Sequence, residues 1–322
     1  MAPTVPRILF ITSNRIGDAV LASGVLDQLV RQYPDARVTV ACGALPAPLF
    51  ADLPGLERLH VMTKRKRGGH WWDLWKACAG TRWTVVADLR GSLFGWTVWS
   101  GRRQVVRADK RHEHRVEELA RMLRLPSLPD PRLWVSDDRD RRAVALLGGD
   151  VPVLAVGPTA NWGAKQWPAE RFAETVLRLT APDGILPGAR IAVFGAPNER
   201  AAAQAVLDAV PNERLLDCIG MPDLLDAFAT LRRCRFYLGN DSGLMHMAAA
   251  AGTPTLGLFG PSPDWRYGPW GARCAVVRTP ESFEQLVYAS SFDHRNQDSL
   301  MLSLNVDSVI EAADDLWKRV SA

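Results

Sequence analysis

Short, wholly apolar runs alternating with helix-length segments along the chain constrain its fold more than any other feature. An apolar run of strand length suits a strand buried on both faces. The stretch between two such runs is long enough for the helical crossover that parallel strands require. In the first half, residues 8–11, 38–42, 59–62 and 85–88 read as strands, with helices over about 18–33 and 112–125. Pro126, Pro129 and Pro131 then punctuate a polar linker, after which the alternation restarts. Residues 153–156, 191–194, 236–238 and 255–259 read as strands, and 169–180, 198–209, 222–232 and 242–251 as helices. Residues 281–303 fit neither period. The expectation is an α/β protein of two Rossmann-like, doubly wound domains, residues 1–135 and 136–322. Ligands in such folds bind at the carboxyl ends of the strands, and in a pair of them that means a central cleft.

Length and charge agree with two globular domains. The chain has 322 residues, of which 47% are apolar and 23% charged. Its net charge of +4 is too mild to call for a nucleic acid. Residues 1–125 carry 20 basic and 11 acidic side chains, whereas residues 126–322 carry 19 and 24, so the basic half is the one expected to meet an anionic partner. Five cysteines without a CxxC pair argue against a disulfide framework or structural zinc, and point to a reducing cytoplasm. No secretory signal is evident at the N-terminus, and no run reaches the ~18 apolar residues of a membrane span.

Four segments carry candidate chemistry. Ser13 to Asp18 joins the first strand to the first helix: Gly17 there permits a tight turn, and Asp18 is either a helix cap or a base facing an incoming hydroxyl. Gly239 to His246 places small, hydrogen-bonding residues ahead of an Ala-rich helix, an arrangement that offers amides to a phosphate. His246 falls one turn into that helix and faces either the ligand or the core. Thr159 to Pro168 narrowly misses a Walker loop, and its Lys165 is either a solvated loop lysine or a point charge for a phosphate. Lys64, Arg65, Lys66 and Arg67 precede Trp71, Trp72 and Trp75; a solvated run and an interface with anionic lipid headgroups both suit them. HExxH, GxSxG and GxGxxG are absent, and Asp138-Arg139-Asp140 reads as a charged helix start rather than a metal motif.

Taken together, the segments Arg15–Leu21, Asp88–Gly91, Lys165–Phe172, Phe194–Glu199 and Asn240–Ala250, running on to Leu258–Ser262, resemble glycosyltransferase family nine, the ADP-heptose:lipopolysaccharide heptosyltransferases. The resemblance implies a GT-B fold, with acceptor bound by the N-terminal domain and nucleotide sugar by the C-terminal one. It implies an inverting transfer without metal or cofactor, an ADP-sugar being the co-substrate. Asp18 matches the catalytic base and Lys165 the lysine that meets the donor phosphates. Asp241, Ser242 and Gly243 match the diphosphate- and sugar-binding turn, with His246 behind them. Glu199 matches a ribose contact, Met221 lies near the adenine border, and Thr159 and Asn161 belong to the phosphate side. Ser13, Gly17, Lys64, Arg65, Arg67 and Arg90 fall on the acceptor side. The implied partners are a nucleotide sugar and a lipopolysaccharide core acceptor, in the cytoplasm or at the cytoplasmic face of the inner membrane. A relative using a UDP-hexose, and a non-catalytic nucleotide-sugar-binding protein, are the alternatives.

Overall fold

The computed structural model describes residues 5–107, 111–288 and 298–321. The chain divides into two compact units, Met1–Ser136 and Asp137–Ala322. The first holds a five-stranded sheet of β1 (Arg7–Ile11), β2 (Arg37–Cys42), β3 (Leu56–Val61), β4 (Trp83–Asp88) and β5 (Ser100–Val105), in the order β3-β2-β1-β4-β5. Every pairing in it is parallel. Its helices are α1 (Ile16–Gln32), α2 (Gly69–Cys78) and α3 (Arg115–Leu123). Ile8, Leu9, Phe10 and Ile11 of the central strand are all fully buried, which is why that run carries no polar alternation.

The second unit holds β6 (Val153–Gly157), β7 (Arg190–Gly195), β8 (Leu215–Ile219), β9 (Phe236–Asn240), β10 (Thr255–Phe259) and β11 (Cys274–Arg278). The order is β11-β10-β9-β6-β7-β8, again wholly parallel. Its helices are α4 (Asp137–Leu147), α5 (Ala169–Leu179), α6 (Gln204–Ala209), α7 (Leu224–Leu231), α8 (Gly243–Ala250), α9 (Asp264–Tyr267), α10 (Phe283–Val287) and α11 (Val306–Ser321). Leu154, Val156, Ile191, Val193, Phe236, Leu238, Leu256 and Leu258 pack in one cluster with Phe172, Val176 and Leu316 from the helices over the sheet and with Trp167 from the loop ahead of α5. Among the described residues no helix is long and apolar enough to cross a membrane.

Each sheet has one switch point, where the strand order reverses: between β1 and β4 in the first unit, and between β6 and β9 in the second. Loops leaving those strand pairs splay apart, and both candidate site clusters lie on such loops.

Several boundaries differ from the sequence reading for local reasons. The helix expected over 112–125 begins only at Arg115, because His114 Nδ1 accepts from Val116 N at 3.2 Å and Glu117 closes back on His114 N at 3.0 Å, a capping box. The helix expected over 198–209 divides into a 3₁₀ segment, Pro197–Ala203, and α6. Gly17 does not make a turn; it lies inside α1, and the turn is made by Ser13 to Arg15. Asp18 does not cap α1, since Arg15 holds that position. The sequence reading passed over the strands β5, β8 and β11 and the helices α2, α9, α10 and α11. Of the segment 281–303, residues 289–297 lie outside the described residues, and α10 opens on a capping box between Ser282 and Gln285.

Candidate functional site

In the first unit the carboxyl ends of β1 and β4 gather Ser13, Asn14, Asp18 and Arg90. Ser13 Oγ donates to Asp18 Oδ2 at 3.2 Å and accepts from Arg15 N at 3.1 Å. Asp18 is half-buried and lies in the first turn of α1, beside the free amides of the helix start. Arg90 Nη1 reaches Asn14 Oδ1 at 3.4 Å, and its guanidinium lies 5.1 Å from the centre of the Trp71 ring. Backbone closeness fixes Asn14, because a Cβ on Gly43 would stand 2.7 Å from its Cα. Beneath them, Asp88 accepts from Ser92 Oγ at 2.5 Å and from Arg90 N at 3.1 Å. Burial pushes the Asp88 carboxyl above the ordinary carboxylate range, and those hydrogen bonds only partly offset it.

Lys64, Arg65, Lys66 and Arg67 are exposed, just ahead of α2. Arg65 pairs with Asp73 at 2.5 Å, and Arg67 adopts a left-handed backbone, φ 53°.

In the second unit, the loop after β6 and the turn after β9 face each other across the switch point. Lys165 Nζ donates to Asp241 Oδ2 at 2.5 Å, and Ser262 Oγ donates to the same oxygen at 2.7 Å. His246 Nε2 lies 4.0 Å from Asp241 Oδ1 and is buried, so it sits behind the carboxylate rather than facing solvent. An ammonium has three donors, and Asp241 takes one of them; the others can still meet a phosphate. The first amides of α8 have no intrahelical acceptor, and its first turn carries no carboxylate, so they form a positive helix end.

Asn240 locks the two loops together: it accepts from Trp167 N at 3.1 Å and donates to Pro158 O at 2.8 Å. The segment that follows residue 297 supports the same loop from behind. Ser299 Oγ donates to Gln166 O at 2.5 Å, Leu300 N to Ala164 O at 3.0 Å, and Trp167 Nε1 to Leu304 O at 2.9 Å. Lys165 is therefore held on a braced loop.

Toward β7 and β8, Thr159 Oγ1 donates to Glu199 Oε2 at 2.8 Å, and the same carboxylate oxygen accepts from Ala196 N at 2.8 Å. Asn161 is exposed, and Met221 is half-buried, just after the left-handed Gly220 that ends β8. Thr159, Lys165, Glu199, Met221, Asp241, Ser242 and Gly243 thus line the carboxyl edge of one sheet.

Sequence reasoning missed Tyr237. Its hydroxyl runs along the sheet between two glycines, where a Cβ on Gly157 would stand 2.1 Å from it and one on Gly239 2.4 Å. Burial pushes this phenol above the usual tyrosine range, and the neighbouring Ser242 hydroxyl only partly offsets that, so it stays neutral. Neither the Tyr237 nor the Ser242 hydroxyl has a well-formed hydrogen bond among the described residues. Ser262 and Asn240 were visible as parts of motifs, but their roles as clamps on Asp241 and on the Lys165 loop needed coordinates.

A model of glycosyltransferase family 9 (heptosyltransferase) matches residues 96–294, well over half of the chain. Lipopolysaccharide heptosyltransferase 2 of Salmonella typhimurium is 26% identical, covering 84% of this chain and 88% of its own length. Among solved structures, a family 9 glycosyl transferase from Veillonella parvula superposes with a TM-score of 0.77 at 21% identity, covering 99% of both chains. The E. coli ADP-heptose lps heptosyltransferase II superposes at 0.73 and 21%, covering 98% of this chain and 100% of that one.

Proposed function

The chain belongs to glycosyltransferase family 9, and on that premise we propose that it transfers a heptose from ADP-heptose to the inner-core oligosaccharide of lipopolysaccharide. One observation carries the reading: Lys165, the Asp241–Gly243 turn and the open amides of α8 converge at a single switch point. Relatives named as lipopolysaccharide heptosyltransferases, aligned over most of their length, support the choice of sugar and acceptor.

The chemistry follows from the residues. An acceptor hydroxyl gives its proton to Asp18 while its oxygen bonds to the anomeric carbon. The bond from that carbon to the diphosphate oxygen breaks, and ADP leaves with the electron pair. Charge growing on the departing oxygen is met by Lys165 and by the α8 amides, in a setting that is organised beforehand. Asp241 is anionic and turns to sugar hydroxyls. Thr159, Asn161 and Ser242 serve the phosphate side, while Glu199 and Met221 serve ribose and adenine. On the acceptor side, Ser13 and Gly17 lie by the base, and Lys64, Arg65, Arg67 and Arg90 supply cations for the phosphates and carboxylates of the core. No cofactor enters, and no metal is needed, so chelation by EDTA leaves the rate unchanged. The work is done in the cytoplasm, at the face of the inner membrane.

Mass spectrometry of products from ADP-heptose and truncated core acceptors tests the proposal: a mass gain of one heptose is expected. Stabilisation by UDP rather than ADP in a thermal-shift assay would redirect it to a UDP-hexose. Donor binding with no turnover on any core acceptor would leave only a binding protein.

A further inference from the structure

The first unit presents an apolar, cationic surface that no step of the proposed transfer uses. Leu93 is 82% exposed, Trp99 70%, Trp96 59% and Trp72 55%, large side chains that a water-facing surface does not ordinarily show together. They are contiguous. Trp72 stacks on Trp75 with ring centres 4.9 Å apart, and Trp75 Nε1 donates to Thr97 O at 3.4 Å, between Trp96 and Trp99. Cations accompany each indole: Lys76 lies 5.5 Å from the Trp72 ring centre, Arg82 5.5 Å from Trp99, and Arg103 5.6 Å from Trp96. Residues 64–103 contain nine Lys and Arg but only two carboxylates, and one of those, Asp88, is buried while the other, Asp73, is paired with Arg65.

We infer that this surface, built on the segment 93–99 and the outward side of α2, docks the enzyme on an anionic phospholipid bilayer. Indoles prefer the boundary between headgroups and acyl chains, and the Lys and Arg stems beside them deliver charge to lipid phosphates. A partner with an acidic protein face would meet the cations but leave Leu93 and two tryptophan edges against polar groups. The surface continues through Trp71 and Arg90 to Asn14 and the Asp18 end of the sheet. An acceptor anchored in the same leaflet is thereby met at the right end of the unit. The inference takes from the proposed function only its account of why a bilayer matters.

Flotation of the full-length protein with vesicles tests it independently of any sugar. Wild type is expected to float with phosphatidylglycerol-containing vesicles, much less with pure phosphatidylcholine, and to be released by salt. The triple variant Leu93→Ser, Trp96→Ser, Trp99→Ser should lower partitioning about tenfold or more. Arg82→Gln or Lys76→Gln should each lower it about fivefold. ADP binding and transfer to a water-soluble truncated acceptor should be unchanged in all of them, which separates lost docking from lost folding. The inference is overturned if wild type stays unbound at low salt, or if the triple variant floats like wild type. It is equally overturned if sedimentation shows a wild-type dimer that the triple variant dissolves, the patch then belonging to a second copy. None of these results bears on whether the enzyme transfers heptose.

Discussion

Lys165 and Asp241, 76 residues apart in sequence, meet at 2.5 Å across the switch point of the second sheet. The carboxylate is buried while the ammonium keeps part of its surface in solvent. Such a pair sets a loop rather than adding much net stability, because its attraction is set against desolvation. Lys165→Ala should lower ADP affinity by about ten- to a hundredfold, the worth of one charge-assisted contact. It should also cost up to about 3 kcal/mol of stability by leaving the buried Asp241 carboxylate without its Lys165 cation. Titration calorimetry and chemical denaturation measure the two effects separately. Unchanged ADP affinity would remove Lys165 from the donor site.

Asp18 makes the contrasting prediction. Its one side-chain partner among the described residues is Ser13, so Asp18→Asn keeps the local geometry and removes only the ability to take a proton. Transfer should fall by about 10²–10⁴ in kcat with ADP affinity intact. A variant that turns over at the wild-type rate would exclude Asp18 as the base.

Gly157 and Tyr237 are expected to behave as a coupled pair. Gly157→Ala places a methyl 2.1 Å from the tyrosine hydroxyl and should destabilise by about 1–3 kcal/mol. Tyr237→Phe removes a buried hydroxyl that lacks a good partner and should be close to neutral. The double variant should recover part of the loss but not all, since the ring carbon bearing the hydroxyl remains 3.0 Å from the new methyl. A double-mutant cycle by urea denaturation reads the coupling, and strict additivity would refute it.

Asp88 predicts a pH dependence. Burial raises its pKa in the folded chain above the unfolded value of 3.8, so folding favours the protonated form. Its favourable contribution is complete below that unfolded value and is lost as pH rises through the raised folded value. Asp88→Asn does not titrate, so the melting temperature of the variant minus that of wild type should increase from pH 4 to pH 7. A difference that is flat or falls across that window would contradict the assignment.

The cysteines follow the same electrostatics. Cys42, Cys218 and Cys274 are pushed up to about 12 and Cys78 to about 11, by burial first in every case. Native alkylation with iodoacetamide at pH 8 should therefore be slow at all four, and rapid labelling detected by mass spectrometry would show that they are less buried than described.

The sequence by itself determined the parallel α/β architecture, because a strand covered on both faces must be apolar at every position, and that demand is local. It likewise exposed the loops that matter. Asp241 to Gly243 lie between an apolar run and an Ala-rich helix, and Lys165 lies between another run and Trp167-Pro168. Tertiary structure decided what no local pattern carries. The edge strand β5 reads Ser-Gly-Arg-Arg-Gln-Val and is a strand only because β4 supplies its partners. Ser299 braces the Lys165 loop from 133 residues away. Tyr237 finds room only because two neighbouring strands both carry glycine at the same level, Gly157 opposite Gly239. The tryptophans at 72, 75, 96 and 99 become one surface only when α2 packs beside the end of β4. Periodicity reports how each segment is covered; which distant segments meet is fixed by strand order and crossover, and those exist only once the chain has folded.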